Sequence, residues 1–314
     1  MRLARRTLLG GFAALPLAAR AQPLDYRIEP VAVGEGMWIV RGADAPIERA
    51  NGGAIANLAI LAGDDAAILI DCGPSLRYGR ALDAVVAKLT GRPVGHVFIT
   101  HLHPDHGFAA GAFPKAEVAG TSELRRTLES TAAGYSDGMY RLLGDWMRGT
   151  EPVLPAASVT AGERVVAGRR LAFSPMAGHS PADLVVTDLT TGTVIAGDLV
   201  FHDRAPSTPD ADLAMWRKAL GTLAAMPHKG LLPGHGPFDP GGQVSIVQTL
   251  DWIDWLEASL RASVASGLDM VAAGAVAIPA RFVGLKAARY ELQRSVSHFY
   301  PRLEAEIFPR ADAS

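Results

Sequence analysis

The sequence predicts an α/β chain with two stacked sheets at its core and helices outside, on three observations. Short β-branched and aliphatic runs bounded by Gly and Asp crowd the first seventy residues, strands and helices alternate after them, and beyond residue 240 apolar residues recur every three or four positions. Tyr26 to Val33, Met37 to Val40, Ala54 to Ala62 and Ala66 to Asp71 read as strands, and the turn residues between them predict an antiparallel meander. Leu82 to Leu89 then reads as a helix, Val94 to Thr100 as a buried strand, and Ser122 to about Met147 as a long helical region. The second half repeats the style, with strands at Arg170 to Pro175, Leu184 to Asp188 and Val194 to Gly197, a helix at Leu213 to Ala225 and a short strand at Gly230 to Leu232. Each half must bury a sheet face, and sheet on sheet with helices outside does so for both. In residues 241–314 the stripes Ile246, Leu250, Ile253, Leu256, Leu260 and Leu285, Ala288, Leu292, Val296, Phe299 predict helices packed on that body, with a partner-binding helix as the other use of such a stripe. No polar linker divides the chain and no repeat recurs, so residues 22–314 read as one domain.

Composition limits what this domain can be. With 314 residues, 49% of them hydrophobic, the chain can bury a real core, which excludes disorder as its main state. Thirty Lys plus Arg stand against 32 Asp plus Glu, so no basic field exists to neutralise a nucleic-acid backbone. The lone Cys72 excludes an internal disulfide and a four-thiolate zinc site, which leaves the nine histidines and the carboxylates as metal ligands. Residues 1–21 carry arginines, an apolar stretch from Leu8 to Ala18 and a small-x-small site at Ala19 to Ala21, the pattern of a secretory signal. Adjacent Arg5 and Arg6 before Thr7 and Leu8 fit the twin-arginine variant, so a periplasmic protein is expected, with no membrane segment after cleavage.

The chemistry concentrates in residues 101–107, HLHPDHG, directly after an apolar strand. In extended chain, side chains two apart share a side, so His101 and His103 can hold one cation. Pro104 ends the ladder, and the turn can carry Asp105 and His106 to a second. His179 in AGHSP, Asp198 in AGDLVF and His235 in PGHGP each sit beside glycine at an expected strand end. Two sites can be assembled from these: His101, His103 and His179, then Asp105, His106 and His235, with Asp198 bridging.

This order of ligands resembles the metallo-β-lactamase-fold hydrolases over roughly Asn51 to Pro240. The resemblance implies an αββα sandwich of two mixed β-sheets with two divalent ions at one edge, usually zinc, with iron or manganese as alternatives. It also implies that Asp71, in LIDCGP, orients a ligand histidine, although an Asp that merely starts the turn before Gly73 and Pro74 reads equally well. The stretch from Asn51 to Gly79, the ending RYELQRSVSHFYPRLEAEIF and the export signal look most similar to the quinoprotein relay metallohydrolases, which implies association with a periplasmic quinoprotein dehydrogenase.

The implied reaction is hydrolysis of an acyl bond in a small molecule: an ester, thioester, lactone or amide. Two ions about 3.5–4 Å apart lower the pKa of a shared water to near 7, giving hydroxide as nucleophile, with Asp105 and Asp198 placed to handle the proton. Substrate contacts are expected from Asp44 to Asn51, from Tyr135, Tyr140 and Trp146 after the motif, and from Phe201, His202 and Arg204 after Asp198. The alternatives are a glyoxalase-II-like thioesterase or lactonase, a class B β-lactamase-like enzyme, and a metal-stabilised binding partner of a quinoprotein. The β-lactamase reading fits less well, since those enzymes lack the bridging Asp.

Overall fold

A computed structural model describes residues 24–308. The export signal expected over residues 1–21 lies outside the described residues. The larger sheet has seven strands in chain order: β1 (Pro30–Gly34), β2 (Met37–Val40), β3 (Leu58–Ala62), β4 (Ala67–Ile70), β5 (Val94–Phe98), β6 (Glu117–Gly120) and β7 (Ala157–Ser158). It is antiparallel as far as β4 and parallel beyond it. The smaller sheet contains β8 (Gly162–Val166), β9 (Arg169–Met176), β10 (Asp183–Asp188), β11 (Thr193–Phe201) and β12 (Gly230–His235), with only the β11–β12 pair parallel. Parallel neighbours need long crossovers. Helix α1 (Leu76–Thr90) supplies the one from β4 to β5; α2 (Pro104–Gly107) lies between β5 and β6, and α3 (Ser122–Leu143) between β6 and β7. In the second half α4 (Leu213–Ala225) joins β11 to β12, and α5 (Gln243–Ala265), α6 (Met270–Gly274) and α7 (Ala288–Ile307) follow.

Alternation along the strands builds the layers. On β3, Ala59 and Leu61 turn inward to Phe98, Phe173, Leu184 and Leu232, between the sheets. Leu58 and Ile60 turn the other way, onto Leu82 and Val86 of α1 and Leu124 and Leu128 of α3. Similarly on β11, Ile195 joins the inner layer while Val194 and Ala196 pack with Trp216, Ile253 and Leu292 of α4, α5 and α7. The result is an αββα sandwich of two mixed sheets. Strands buried on both faces read as continuous apolar runs, which is why LAILA of β3 and AILI of β4 carry no polar alternation. Both C-terminal stripes enter the core of the second half: α4 and α5 lie on the outer face of β11, and α7 packs on α5 and α6.

Several boundaries differ from expectation for local reasons. Helix α1 begins at Leu76 because Ser75 accepts a hydrogen bond from the Tyr78 N–H, and it ends at Gly91 in the left-handed region. Tyr26 is not part of the first strand: its ring packs on Tyr78 and Trp146 and its hydroxyl donates to the Gly52 carbonyl. The strand expected to stop at Gly197 continues to Phe201, since an irregularity at Gly197 (φ 52) shifts the β11–β12 register without ending the pairing. Asp198 therefore lies within a strand. The short strands β6, β7 and β8 were not among the expected elements.

Candidate metal centre

The carboxyl ends of the central strands bring the motif residues to one edge of the sandwich. His101 and His103 follow β5, but the chain bends at His101 and Leu102 rather than running extended as the spacing suggested; His103 is extended, and Pro104 at the start of α2 turns the backbone so that Asp105 and His106 follow on a helical turn. His179 comes from the loop after β9, Asp198 from β11, and His235 is the last residue of β12. All seven are at most 7% exposed. Backbone approach is close as well: a Cβ at Gly234 would collide with Asp198 Oδ1.

Ligand atoms of His101, His103, His179 and Asp198 all lie within 4.8 Å of one another, as do those of Asp105, His106 and His235. His103 Nδ1 is 3.1 Å from His101 Nε2 and 2.9 Å from His179 Nε2, and the three rings stand at 83–89° to each other, like the faces of a corner. Asp198 touches both groups. Its Oδ2 is 3.3 Å from His179 Nε2, 3.7 Å from His101 Nε2 and 3.2 Å from His235 Nε2, and its Oδ1 is 3.0 Å from His106 Nε2. Asp105 Oδ2 lies 3.5 Å from His235 Nε2 and 3.7 Å from His106 Nε2.

Hydrogen bonds on the far side of each ring say which nitrogen carries the proton. The Thr100 hydroxyl spends its hydrogen on Asp71 Oδ2 at 2.8 Å, so at 2.9 Å it can only accept from His101 Nδ1–H, which leaves a lone pair on Nε2. By the same logic His106 Nδ1 donates to Asp71 at 2.7 Å, His103 Nε2 to Asp210 at 2.9 Å and His235 Nδ1 to the Ile55 carbonyl at 2.8 Å. Four of the five rings thus present a bare nitrogen to the centre. Facing lone pairs about 3 Å apart are not hydrogen bonds, and the buried His106 Nε2 and Asp198 Oδ1 have no hydrogen-bond partner among the described residues. Cations shared by these atoms fit both facts, and each bond behind a ring is the kind that fixes a ligand's tautomer. Electrostatics agrees. Burial depresses His101 and takes His179 down to about 3, which keeps both neutral; for His106 burial is outweighed by Asp198, Asp71 and Asp105, a pull towards positive charge that a cation at Nε2 would satisfy in place of a proton. Burial would raise Asp198, yet His235, His106, His179 and His101 keep it well below the usual carboxylate range. Cationic charge is what this pocket favours.

A cavity of about 220 Å³ adjoins the centre, lined by His103, Asp105, Asp198 and His235. Of the residues expected to contact substrate, Tyr135 and Arg204 line it, together with Pro46 and Ile47 of the Asp44 to Asn51 segment. Phe201 is buried beneath it, its ring stacked on His235 at 5.2 Å. His202, Tyr140 and Trp146 lie away from it, tied to the carbonyls of Pro237, Thr150 and Arg49. Asp71 bonds His106 and Thr100, so its carboxylate is engaged with the ligand loop. Sequence reasoning missed Asp210, which also accepts from the Tyr135 hydroxyl at 2.6 Å, and Tyr290, Glu291 and Arg294 of α7, which line the cavity. None of the four carried a local signal: Asp210 sits in a loop of ordinary turn composition, and the helical spacing along α7 marks only its apolar core stripe, not Tyr290, Glu291 and Arg294.

The family model of the metallo-beta-lactamase superfamily matches residues 51–235. Among solved structures, the chain is similar to a metallo-beta-lactamase from Pontibacter korlensis, at 20% identity and a TM-score of 0.60, covering 73% of this chain and 99% of that one. It is similar to the metallo-beta-lactamase FIM-1 from Pseudomonas aeruginosa in its mono-zinc form, at 20% identity and a TM-score of 0.58, covering 75% and 98%. At these identities the likeness is one of fold. In sequence it matches the uncharacterised protein YobT of Bacillus subtilis, 29% identical over 134 residues, 41% of this chain and 55% of that protein, so the match spans about half of that relative.

Proposed function

The chain belongs to the metallo-beta-lactamase superfamily, and from that membership we propose that it is a dinuclear metal-dependent hydrolase of an acyl bond in a small molecule. The observation that carries the reading is the carboxylate of Asp198, held between two groups of three ligands and within 3.7 Å of four histidine nitrogens. Divalent cations bound there supply a water with a pKa near 7 and a Lewis acid for a carbonyl. The chain's own residues do the rest. Asp71 and Asp210 hold His106 and His103 in the ligand tautomer, Phe201 covers His235 against solvent, and Asp105 and Asp198 line the cavity as acceptors for a released proton. Cys72 is unsuited to nucleophilic work, because it is wholly buried and burial pushes its thiol well up.

Zinc is the proposed metal, since five imidazoles and carboxylates without thiolate suit it, and the same donors accept iron or manganese. Export to the periplasm is part of the reading on the strength of residues 1–21, and association with a quinoprotein dehydrogenase on the likeness of Asn51 to Gly79 and of the chain's ending to the relay metallohydrolases. The test is a panel of esters, thioesters, lactones, amides and β-lactams offered to protein carrying two equivalents of zinc. Turnover of one class that vanishes on chelation and returns with metal is expected. Retention of metal with no turnover of any member would favour a metal-stabilised binding protein.

A further inference from the structure

Three residues in the cavity wall lie beyond the C-terminal end of the span that matches the family model: Tyr290, Glu291 and Arg294 of α7, which face the same space as Arg204 and the metal-side ligands. Arg204 is 2% exposed, yet only its Nη2 has acceptors, the Ala45 carbonyl at 3.3 Å and Glu291 Oε1 at 3.5 Å, both long for an ion of this kind. Among the described residues its Nε and Nη1 have no acceptor and Glu291 Oε2 has no donor. A guanidinium is a planar fork of five N–H groups that cannot give up its proton, so donors left unpaired at a buried position are a standing cost. Arg294 adds a second guanidinium, which donates to Ser207 at 2.7 Å and passes Glu291 Oε2 at 3.8 Å. Burial lifts the Glu291 carboxyl to about 7 against the pull of both arginines, so it neutralises them incompletely. Asp105, Asp198 and Glu291 outnumber the two arginines in the lining, but two divalent cations held at the centre would turn that balance positive.

We propose that Arg204 and Arg294 form a carboxylate-binding subsite, so that the substrate is a small acyl compound carrying a carboxylate of its own. The proposal rests on the hydrolase reading and narrows it. Geometry sets the size: the Arg204 guanidinium lies 5.9 Å from the Phe201 ring centroid, and that ring is stacked at 5.2 Å on His235, so about one aromatic ring separates the anion's seat from a metal ligand. The 220 Å³ cavity suits a molecule whose carboxylate and scissile carbonyl are a few bonds apart. In the reaction, the bond from acyl carbon to leaving group breaks, the oxygen of water bonds to that carbon, and a water proton goes to the leaving group. The carboxylate at Arg204 is unchanged throughout; it orients the molecule.

The test uses metal-replete protein and two matched pairs: para-acetoxybenzoate with its methyl ester, and monophenyl adipate with phenyl hexanoate, which place the carboxylate on the leaving group and on the acyl side. Wild type is expected to prefer a charged member by about tenfold or more in kcat/KM, the scale of a charge-assisted hydrogen-bonded pair. Arg204→Met should collapse that ratio, chiefly through KM. Arg294→Gln, at a half-buried position that tolerates change, should reduce it by a few fold and keeps the test valid should the first variant fold poorly. No preference in wild type, or a preference that both variants retain, overturns the subsite while leaving the hydrolase reading intact. Absence of turnover for all four compounds counts against the hydrolase reading. The subsite is then decided by calorimetry, where monomethyl adipate binding wild type but neither variant supports it, and equal binding to all three proteins overturns it.

Discussion

Asp198 concentrates the electrostatics of the site. Four histidine nitrogens approach it, and two cations sharing its carboxylate would be held at a set separation with their repulsion reduced. Asp198→Asn keeps the volume and removes the charge, so the variant is expected to fold, to bind one ion far more weakly than the other, and to lose hydrolysis by about a hundredfold or more. Titration with zinc, read beside turnover, checks this; two tight ions and full activity would remove the bridging role. Asp210 acts through another residue. It holds the His103 ring from behind, so Asp210→Ala should lower metal affinity by about tenfold to a hundredfold, with Asp210→Asn recovering part because an amide oxygen still accepts from His103. Competition against a chelator of known affinity measures that directly, and equal affinity in all three proteins would show that the contact does not position the ligand.

Between elements, Arg169 joins the two sheets. It forms a two-point pair with Asp188, at 2.8 and 2.7 Å, and donates to the carbonyls of Glu35, Gly36 and Ala62 at the β1–β2 turn and the end of β3. Burial would raise the Asp188 carboxyl, but the bonds from Arg169 and Thr191 outweigh it and lower the pKa. A carboxylate depressed in the folded state stabilises the fold above its unfolded pKa of about 4 and loses that contribution as pH falls through the lower folded value. Arg169→Met leaves a buried charge without its partner and should destabilise by about 3–5 kcal/mol. Urea midpoints should therefore drop at pH 7 and fall less steeply than wild type as pH goes below 4. Parallel curves for the two proteins would reject the linkage.

For the molecule as a whole, folding and metal binding should be one equilibrium. Five histidines and two aspartates meet in a buried centre, so cations that bind only the folded chain stabilise it by mass action. Elemental analysis should give two ions per chain, and stripping them should lower Tm by roughly 5–10 °C, restored on adding zinc back. One ion at saturation would sink the dinuclear reading. Export is tested separately: replacing Arg5 and Arg6 with Lys should block translocation by the twin-arginine route, and normal periplasmic accumulation of that variant would reject the route.

HLHPDHG with His179, Asp198 and His235 made the candidate donor set readable in the sequence, because metal ligation demands particular atoms at particular spacings and a close backbone beside glycine, although Asp198 sits inside β11 rather than at the strand end its position suggested. The layered architecture was readable for a similar reason: apolar alternation and helical stripes are local records of which face must be buried. Tertiary structure alone decided what stands behind and across from those ligands. The Ile55 carbonyl behind His235 is backbone and leaves no mark on residue type, and Asp210 reaches His103 across more than a hundred residues. Glu291 and Arg294 become part of the cavity only because α7 packs on α5 and α6 and meets Arg204 and Thr208 in the segment after β11. Contacts of that kind depend on how sheets and helices stack, and stacking is a property of the packed core, to which each segment contributes only its own apolar face.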